Sequence, residues 1–518
     1  MTNTMTGAES LVTTLVDSGI DTCFTNPGTS EMHFCAALDK LPGMRCVLGL
    51  FEGVVTGAAD GYSRITGRPA ATLLHLGPGL GNGLANLHNA RRAGSPVVNI
   101  VGEHASFHLQ YDAPLTSDIE GIARPVSHWV RTSAGPEQVA ADGAEAVAAA
   151  RTAPGQIATL ILPADASWGP AQAAARALPV KPAPKLGDDA IAAAAAALAG
   201  GGESLLLLGG PALEEPALTW AGAIAAKTGA KLMTTTFMRC MPRGAGRVGA
   251  FRLPYVVAQA LPQLAPYSRI LLVGAKPPVS FFGYPDSPSQ LQPEGCEIVP
   301  FAEADFDIVD ALQRLADRLG AKPEDAVLQP YEAVAAPSGP ITPEGLGRAL
   351  AALLPENAIV IDEAVTTGRG FYPATRTARP HHWLANLGGS IGFGTPVGTG
   401  AAIAAPDRKV ICLEGDGSFM YTAQSLWTQA RENCDVTTVI FANRSYNILL
   451  GEFAAVGAGA PGQRARDIFE IGRPDIDMVG LAKSLGVPGS RVDDLEGFAK
   501  AFTAAMDSQG PKVIEVMV

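Results

Sequence analysis

"KVICLEGDGSF", residues 409–419, decides how the chain is read. An apolar run from Val410 to Leu413 stops at Gly415-Asp416-Gly417. A run without period-2 alternation suits a strand buried on both faces, as in a parallel sheet. In the next stretch, "SFMYTAQSLWTQAREN", residues Phe419, Ala423, Leu426, Trp427 and Ala430 fall at helical spacing. The pattern predicts one amphipathic helix. "VTTVIFAN" then reads as a second strand ending at Asn443. In such a βαβ crossover both strands run parallel, so their carboxyl ends share one edge of the sheet. Ligands of open α/β sheets bind along that edge. Asp416 and Asn443, 27 residues apart, are expected to meet there.

The same alternation runs outward through the chain. Strands are expected at Cys46–Phe51, Ala71–Leu76, Val97–Val101 and Ile157–Leu162, then at Ser204–Leu208 and Ile270–Val273. A third group is expected at Ala358–Ile361, Val410–Leu413, Thr437–Phe441 and Lys512–Val516. Two proline-rich stretches, residues 177–189 and 328–345, read as semi-rigid linkers between these groups. The predicted class is α/β, with three domains at 1–176, 188–328 and 341–518, each a mostly parallel sheet flanked by helices.

The formal net charge of −12 argues against nucleic acid or an anionic membrane as a general partner. Seven scattered cysteines without a CxxC pair read as reduced thiols of a cytoplasmic protein. "MTNTMTGAES" lacks the basic and apolar regions of a signal peptide, and the alanine-rich run 190–198 is too short to span a bilayer.

An Asp carboxylate, an Asn amide oxygen and a nearby backbone carbonyl are hard oxygen donors suited to Mg²⁺. Gly415 and Gly417 would let backbone approach a phosphate group, with Ser418 opening the next helix. Taken alone, Gly-Asp-Gly is also an ordinary turn. Asn443 at the end of the next strand favours the ligand-binding reading.

"GDGS" followed after 27 residues by "NRSYNIL" resembles the cofactor motif of thiamine-diphosphate enzymes. The resemblance implies that Asp416, Asn443 and the Ser445 carbonyl hold the metal, with Tyr446 beside the cofactor. The family's Asn-Asn pair is Ala442-Asn443 here, so only the presumed ligand is kept. "LGLFEGVVTGAADGYSRITGRPA", residues 48–70, is similar to the family helix whose glutamate touches the aminopyrimidine, which assigns that role to Glu52. Without the family context Glu52 is a first-turn glutamate complementing a helix dipole. "HLGPGLGNG", residues 75–83, resembles the glycine loop facing the aminopyrimidine, with Asn82 at a contact position. Ile391 matches the bulky residue under the cofactor, and Thr366 and Thr367 match hydroxyl positions near the diphosphate.

Within that family, His75 and the turn Asn26-Pro27-Gly28-Thr29 resemble benzoylformate decarboxylases. His75 and Thr29 are therefore expected to hold substrate. The loop after "VGA", where those enzymes carry a second His, reads "KPPVSFFGYPDSP". It implies an aromatic wall of Phe281, Phe282 and Tyr284, opposed by Leu449, Leu450 and Phe453. The resulting expectation is decarboxylation of an apolar 2-oxo acid, the enamine being protonated or ligated to a second carbonyl compound. The chain is expected to form a homodimer or homotetramer. The alternatives are an acetolactate synthase and a non-catalytic cofactor-binding subunit. No FAD is expected, because the acetolactate synthase pattern around FAD is not evident in "FMRCMPRGAGRVGAF".

Overall fold

Strand Val410–Gly415 lies between Ala358–Glu363 and Val436–Ala442, parallel to both, in the computed structural model, which describes residues 5–518. These three form the middle of a seven-stranded sheet. Lys512–Met517 and Gly489–Val492 extend it on one side, and His381–Ala385 and Met241–Arg243 on the other. All pairings are parallel except the last, where Met241–Arg243 runs antiparallel to His381–Ala385.

The first third of the chain forms a six-stranded parallel sheet in the order Arg45–Leu48, Thr22–Asn26, Ala70–Leu74, Val97–Glu103, Ile157–Pro163, Trp129–Thr132. The middle third forms a five-stranded parallel sheet centred on Ser204–Leu208 and Arg269–Val273. Every residue of Ser204–Leu208 and Ala70–Leu74 is buried, as continuous apolar runs require. Residues 172–187 and 330–338 carry no helix or strand. The first residues of "MTNTMTGAES", 1–4, lie outside the described part.

Two elements differ from the sequence reading. The helix expected after Gly417 is split into Asp416–Phe419 and Ser425–Arg431. Between them the backbone bonds tighten to three-residue spacing, Tyr421 N to Ser418 O, Thr422 N to Phe419 O and Ser425 N to Thr422 O. The Thr422 hydroxyl leaves this turn to donate to the Gly392 carbonyl at 3.1 Å. The apolar periodicity survives the break because Phe419, Ala423 and Leu426 still enter the core. The glycine-rich stretch 77–83 is no loop but the opening of helix Leu76–Ala93. Two of its glycines serve close packing: a Cβ on Gly77 would lie 2.0 Å from the Ser117 hydroxyl, and one on Gly83 2.8 Å from Thr56.

The first and last sheets are joined through helices Glu52–Thr66 and Gly394–Ala404. Gly61 and Gly400 let these helices touch backbone to backbone, since Cβ atoms there would fall 2.0 Å from the Val397 carbonyl oxygen and 1.9 Å from the Ala58 one. Arg64, buried with Asp60 at 2.7 Å, donates to the Ala385 carbonyl at 2.8 Å and lies over the Phe393 ring. One apolar cluster therefore runs from Phe24 and Leu80 to Ile359 and Val410.

Among the described residues no helix is long and apolar enough to cross a membrane. All seven cysteines are free.

Candidate active site

The carboxyl edge of the seven-stranded sheet gathers the residues expected at the diphosphate. Asp416 follows strand Val410–Gly415 and is buried. Its Oδ1 accepts the Gly417 N–H at 2.9 Å and its Oδ2 the Arg444 N–H at 2.6 Å. Burial raises the Asp416 pKa, and the two N–H groups oppose the rise. Asn443 Oδ1 accepts the Ser445 N–H at 2.9 Å, so Asp416 and Asn443 flank the same turn. The Tyr446 ring lies against Gly417, where a Cβ would come within 2.5 Å of it. Thr366 and Thr367 follow the adjacent strand Ala358–Glu363, and Thr367 is buried.

The carboxyl edge of the six-stranded sheet gathers a second group. Glu52 opens helix Glu52–Thr66 and receives the Asn82 side-chain amide at 3.0 Å. His75 follows strand Ala70–Leu74 and leads into helix Leu76–Ala93. The point where a Gly79 side chain would begin is 3.1 Å from Glu52 Oε1 and 3.3 Å from His75 Cβ. The His75 ring also lies on Gly28, where a Cβ would sit 2.2 Å from Nδ1. The turn bearing Thr29 is thereby brought beside His75, and Thr29 itself is exposed.

Between these edges runs residues 386–392. The Gly392 carbonyl accepts the Asn86 amide at 3.1 Å, and the Ser390 carbonyl the Asn89 amide at 2.8 Å. Ile391 lies between these two bridged carbonyls. The Phe281 ring closes on Gly389, where a Cβ would come within 2.7 Å of it. Phe281 also packs on Phe282 at 4.8 Å and on Phe237 at 5.8 Å, while Tyr284 donates to Glu452 at 2.8 Å. Helix Ile448–Ala455 carries Leu449, Leu450 and Phe453. Phe453 packs edge-on against Phe469.

Backbone strain marks the same edges. Seven non-glycine residues have positive φ among those described, and four are Asp or Asn, which tolerate it. The other three are Leu76 (φ 52), Val365 (φ 47) and Arg444 (φ 56). Each lies just past the carboxyl end of a parallel strand, beside His75, Thr366 and Asn443 respectively. Left-handed residues of this kind cost on the order of 1–3 kcal/mol each and concentrate at ligand sites.

Both edges match one family. Residues 5–120 match "Thiamine pyrophosphate enzyme, N-terminal TPP binding domain", and residues 368–516 match "Thiamine pyrophosphate enzyme, C-terminal TPP binding domain". The chain belongs to the thiamine pyrophosphate enzymes. It is 51% identical over 518 residues, 99% of each chain, to IlvX of Mycobacterium tuberculosis (strain ATCC 25618 / H37Rv), provisionally named an acetolactate synthase large subunit. It is 30% identical over 529 residues, 96% of each chain, to benzoylformate decarboxylase of Pseudomonas aeruginosa. The structure is similar to that of the thiamine diphosphate-dependent 4-hydroxybenzoylformate decarboxylase of Rhodococcus jostii RHA1, with a TM-score of 0.86, 28% identity and 99% of each chain covered.

Sequence reasoning about this thiamine pyrophosphate enzyme missed three carboxylates. Glu31, almost fully buried, holds His75 Nδ1 at 2.8 Å and the Gly28 N–H at 2.7 Å. Burial raises its pKa. Its signal was present in "NPGTSE", five residues past Asn26, but a glutamate there also reads as turn chemistry. Glu363 and Glu414 are paired across adjacent strands and buried. Glu363 accepts the Phe393 and Gly394 N–H groups, each at 2.8 Å, anchoring the segment that carries Ile391. Burial raises both pKa values, and the neighbouring Glu363 charge pushes Glu414 further. Of the two, Glu414 is pushed up the further.

Proposed function

We propose that this chain is a Mg²⁺- and thiamine-diphosphate-dependent enzyme that decarboxylates a 2-oxo acid with an aryl or bulky apolar side chain. The observation that carries the reading is the placement of Glu52 and His75 on either side of Gly79. It sets a proton-carrying carboxylate and an imidazole at one edge, with an oxygen-donor turn on the other sheet.

The residues fit the cofactor and its metal. Asp416, Asn443 Oδ1 and the Ser445 carbonyl make an all-oxygen donor set with one negative charge, as Mg²⁺ takes alongside phosphate oxygens. The Ser445 carbonyl accepts no hydrogen bond among the described residues. Gly415, Gly417 and Ser418 would border the diphosphate, with Thr366, Thr367 and Tyr446 beside it and Ile391 against the cofactor.

Thiamine diphosphate, when bound, supplies the nucleophilic carbon and the electron sink that loss of CO₂ requires. Glu52, held by the Asn82 amide, would take up or release a proton at its carboxylate beside the aminopyrimidine. His75 presents Nε2 to the substrate carbonyl because Glu31 occupies Nδ1. Thr29 offers its hydroxyl to the substrate carboxylate. Phe281, Phe282, Tyr284, Leu449, Leu450 and Phe453 exclude water and receive the side chain. Burial of apolar surface at about 25 cal/mol per Å² favours an aryl group over a methyl by a few kcal/mol. The loop after Val273 has no His, which leaves room for addition to a second carbonyl compound as well as for protonation.

The resemblance to IlvX favours acetolactate synthase as the second reading. A non-catalytic subunit is disfavoured by the intact Glu52–Asn82 pair. The division at 1–176, 188–328 and 341–518, a cytoplasmic location, and a homodimer or homotetramer belong to the same proposal. Release of CO₂ across benzoylformate, branched 2-oxo acids and pyruvate, with products separated by chromatography, tests it. Preference for pyruvate with acetolactate as product would overturn the aryl pocket and promote the second reading.

A further inference from the structure

Helix Ile448–Ala455 follows the Asn443–Tyr446 turn, is apolar along its length, and has no fully buried residue. Its single charged side chain is Glu452. One Glu452 oxygen accepts the Tyr255 phenol at 3.1 Å and the other the Tyr284 phenol at 2.8 Å. Tyr255 lies just before helix Val257–Leu264, whereas Tyr284 is on the loop after Arg269–Val273. Two separate pieces of the middle third therefore converge on one carboxylate of the last third. Aromatic packing ties the pieces together, with Phe281 5.4 Å from Tyr255 and Phe282 6.5 Å from Tyr284 between ring centres. Phe281 reaches Gly389 on one side, and Pro285 comes within 3.7 Å of the Cβ position of Gly457 on the other. Residues 281–285 thus span from the segment bearing Ile391 to the segment past the metal turn.

We propose that Glu452 is a positioning residue that clamps the aromatic loop 281–285 to helix Ile448–Ala455 and thereby sets the size of substrate side chain admitted between them. The inference rests on reading this cleft as a 2-oxo acid site. Hydrogen bonds to an ionised acceptor are the stronger kind, and here two phenols share one carboxylate. Burial and the Glu452 charge raise the Tyr255 pKa, which keeps its hydroxyl a donor. Without the carboxylate, Phe281 and Phe282, both substantially exposed, hang on a loop containing Gly283. A wall that moves cannot reject or select by shape.

The test uses the full chain loaded with thiamine diphosphate and Mg²⁺. Hydrogen exchange is followed in peptides covering 276–290 and 446–460, and kcat/KM is measured for benzoylformate and pyruvate. In Glu452→Ala, exchange should accelerate together in both segments by about tenfold, the scale of a lost charged hydrogen bond. The benzoylformate-to-pyruvate ratio should fall by a similar factor, through KM rather than kcat. Unchanged exchange in either segment, or parallel loss on both substrates, overturns the clamp. If Glu452→Ala fails to fold, Tyr255→Phe, which keeps its ring, gives the same test at roughly threefold amplitude. A parent that turns over no 2-oxo acid defeats the functional reading by itself, and the exchange measurement still decides the clamp.

Discussion

His75 and Glu31 form a dyad in which one carboxylate oxygen serves both the imidazole, at 2.8 Å, and the Gly28 N–H, at 2.7 Å. The dyad fixes which imidazole nitrogen is free. Glu31→Gln keeps the volume and removes the charge. It should lower kcat by about 10²-fold, the scale of a misdirected acid–base group. Thermal stability should hold or rise, because burial disfavours the Glu31 charge. Steady-state kinetics beside a melting curve separates the two, and an unchanged kcat would remove Glu31 from the site.

Asp416→Ala deletes the only carboxylate of the oxygen-donor turn. Thiamine diphosphate affinity should fall by at least about 10²-fold while the fold is retained, since a bound Mg²⁺ needs that charge. Calorimetry with Mg²⁺ present measures it. Equal affinity in the variant would overturn the metal assignment.

Glu52→Gln should bind cofactor and lose roughly 10²–10⁴ in rate. C2 proton exchange, followed by NMR, should slow correspondingly. Among the described residues Glu52 and Asp416 share no hydrogen-bond partner, and the proposed homo-oligomer would complete the site across a two-fold axis. Mixed Glu52→Gln and Asp416→Ala subunits should then regain part of the activity. Demonstrated subunit exchange without recovery would place the whole site in one chain.

How much of this was legible beforehand varies by element. The strand ending at Gly415 was readable because both faces are buried, so its run from Val410 to Leu413 is continuously apolar. Thr22–Asn26 and His381–Ala385 were not, because polar side chains interrupt their apolar pattern although the strands lie inside the fold, as where buried His381 donates Nδ1 to the Arg379 carbonyl at 2.7 Å. Asp416 and Asn443 were legible because strand order alone brings them together. Glu452 and Tyr255 meet across 197 residues, and Glu31, though set in "NPGTSE", meets His75 across 44, distances that one-dimensional spacing does not record.

The two adjacent histidines of that strand set an acid limit on stability. Burial, reinforced by Arg243, pushes the His381 pKa down to about 3, and burial with Arg408 pushes His382 down to about 4. An unfolded His titrates near 6.5, so below that pH the unfolded chain binds more protons than the folded one. Stability is fully present above about pH 6.5 and is lost as pH falls towards 4. His381→Gln should flatten this slope. Urea midpoints at pH 7 and pH 5 measure it, and equal slopes in parent and variant would contradict the assignment.

The purified protein should be colourless. "FMRCMPRGAGRVGAF" lacks the pattern that acetolactate synthases use around FAD. An absorption band of oxidised flavin, released on denaturation, would contradict this and favour the acetolactate synthase reading.

Met241–Arg243 has a consequence for any attempt to dissect the chain. Its three residues cover the outer backbone of His381–Ala385, and Arg243 stacks 3.7 Å over the Tyr372 ring as it does so. A fragment begun at residue 341 would leave that side of His381–Ala385 bare. An uncovered apolar edge strand is a template for pairing with another molecule. The middle third therefore works as a built-in safeguard against fibre-like self-association, and insolubility of the isolated last third would say nothing about whether it can bind its cofactor.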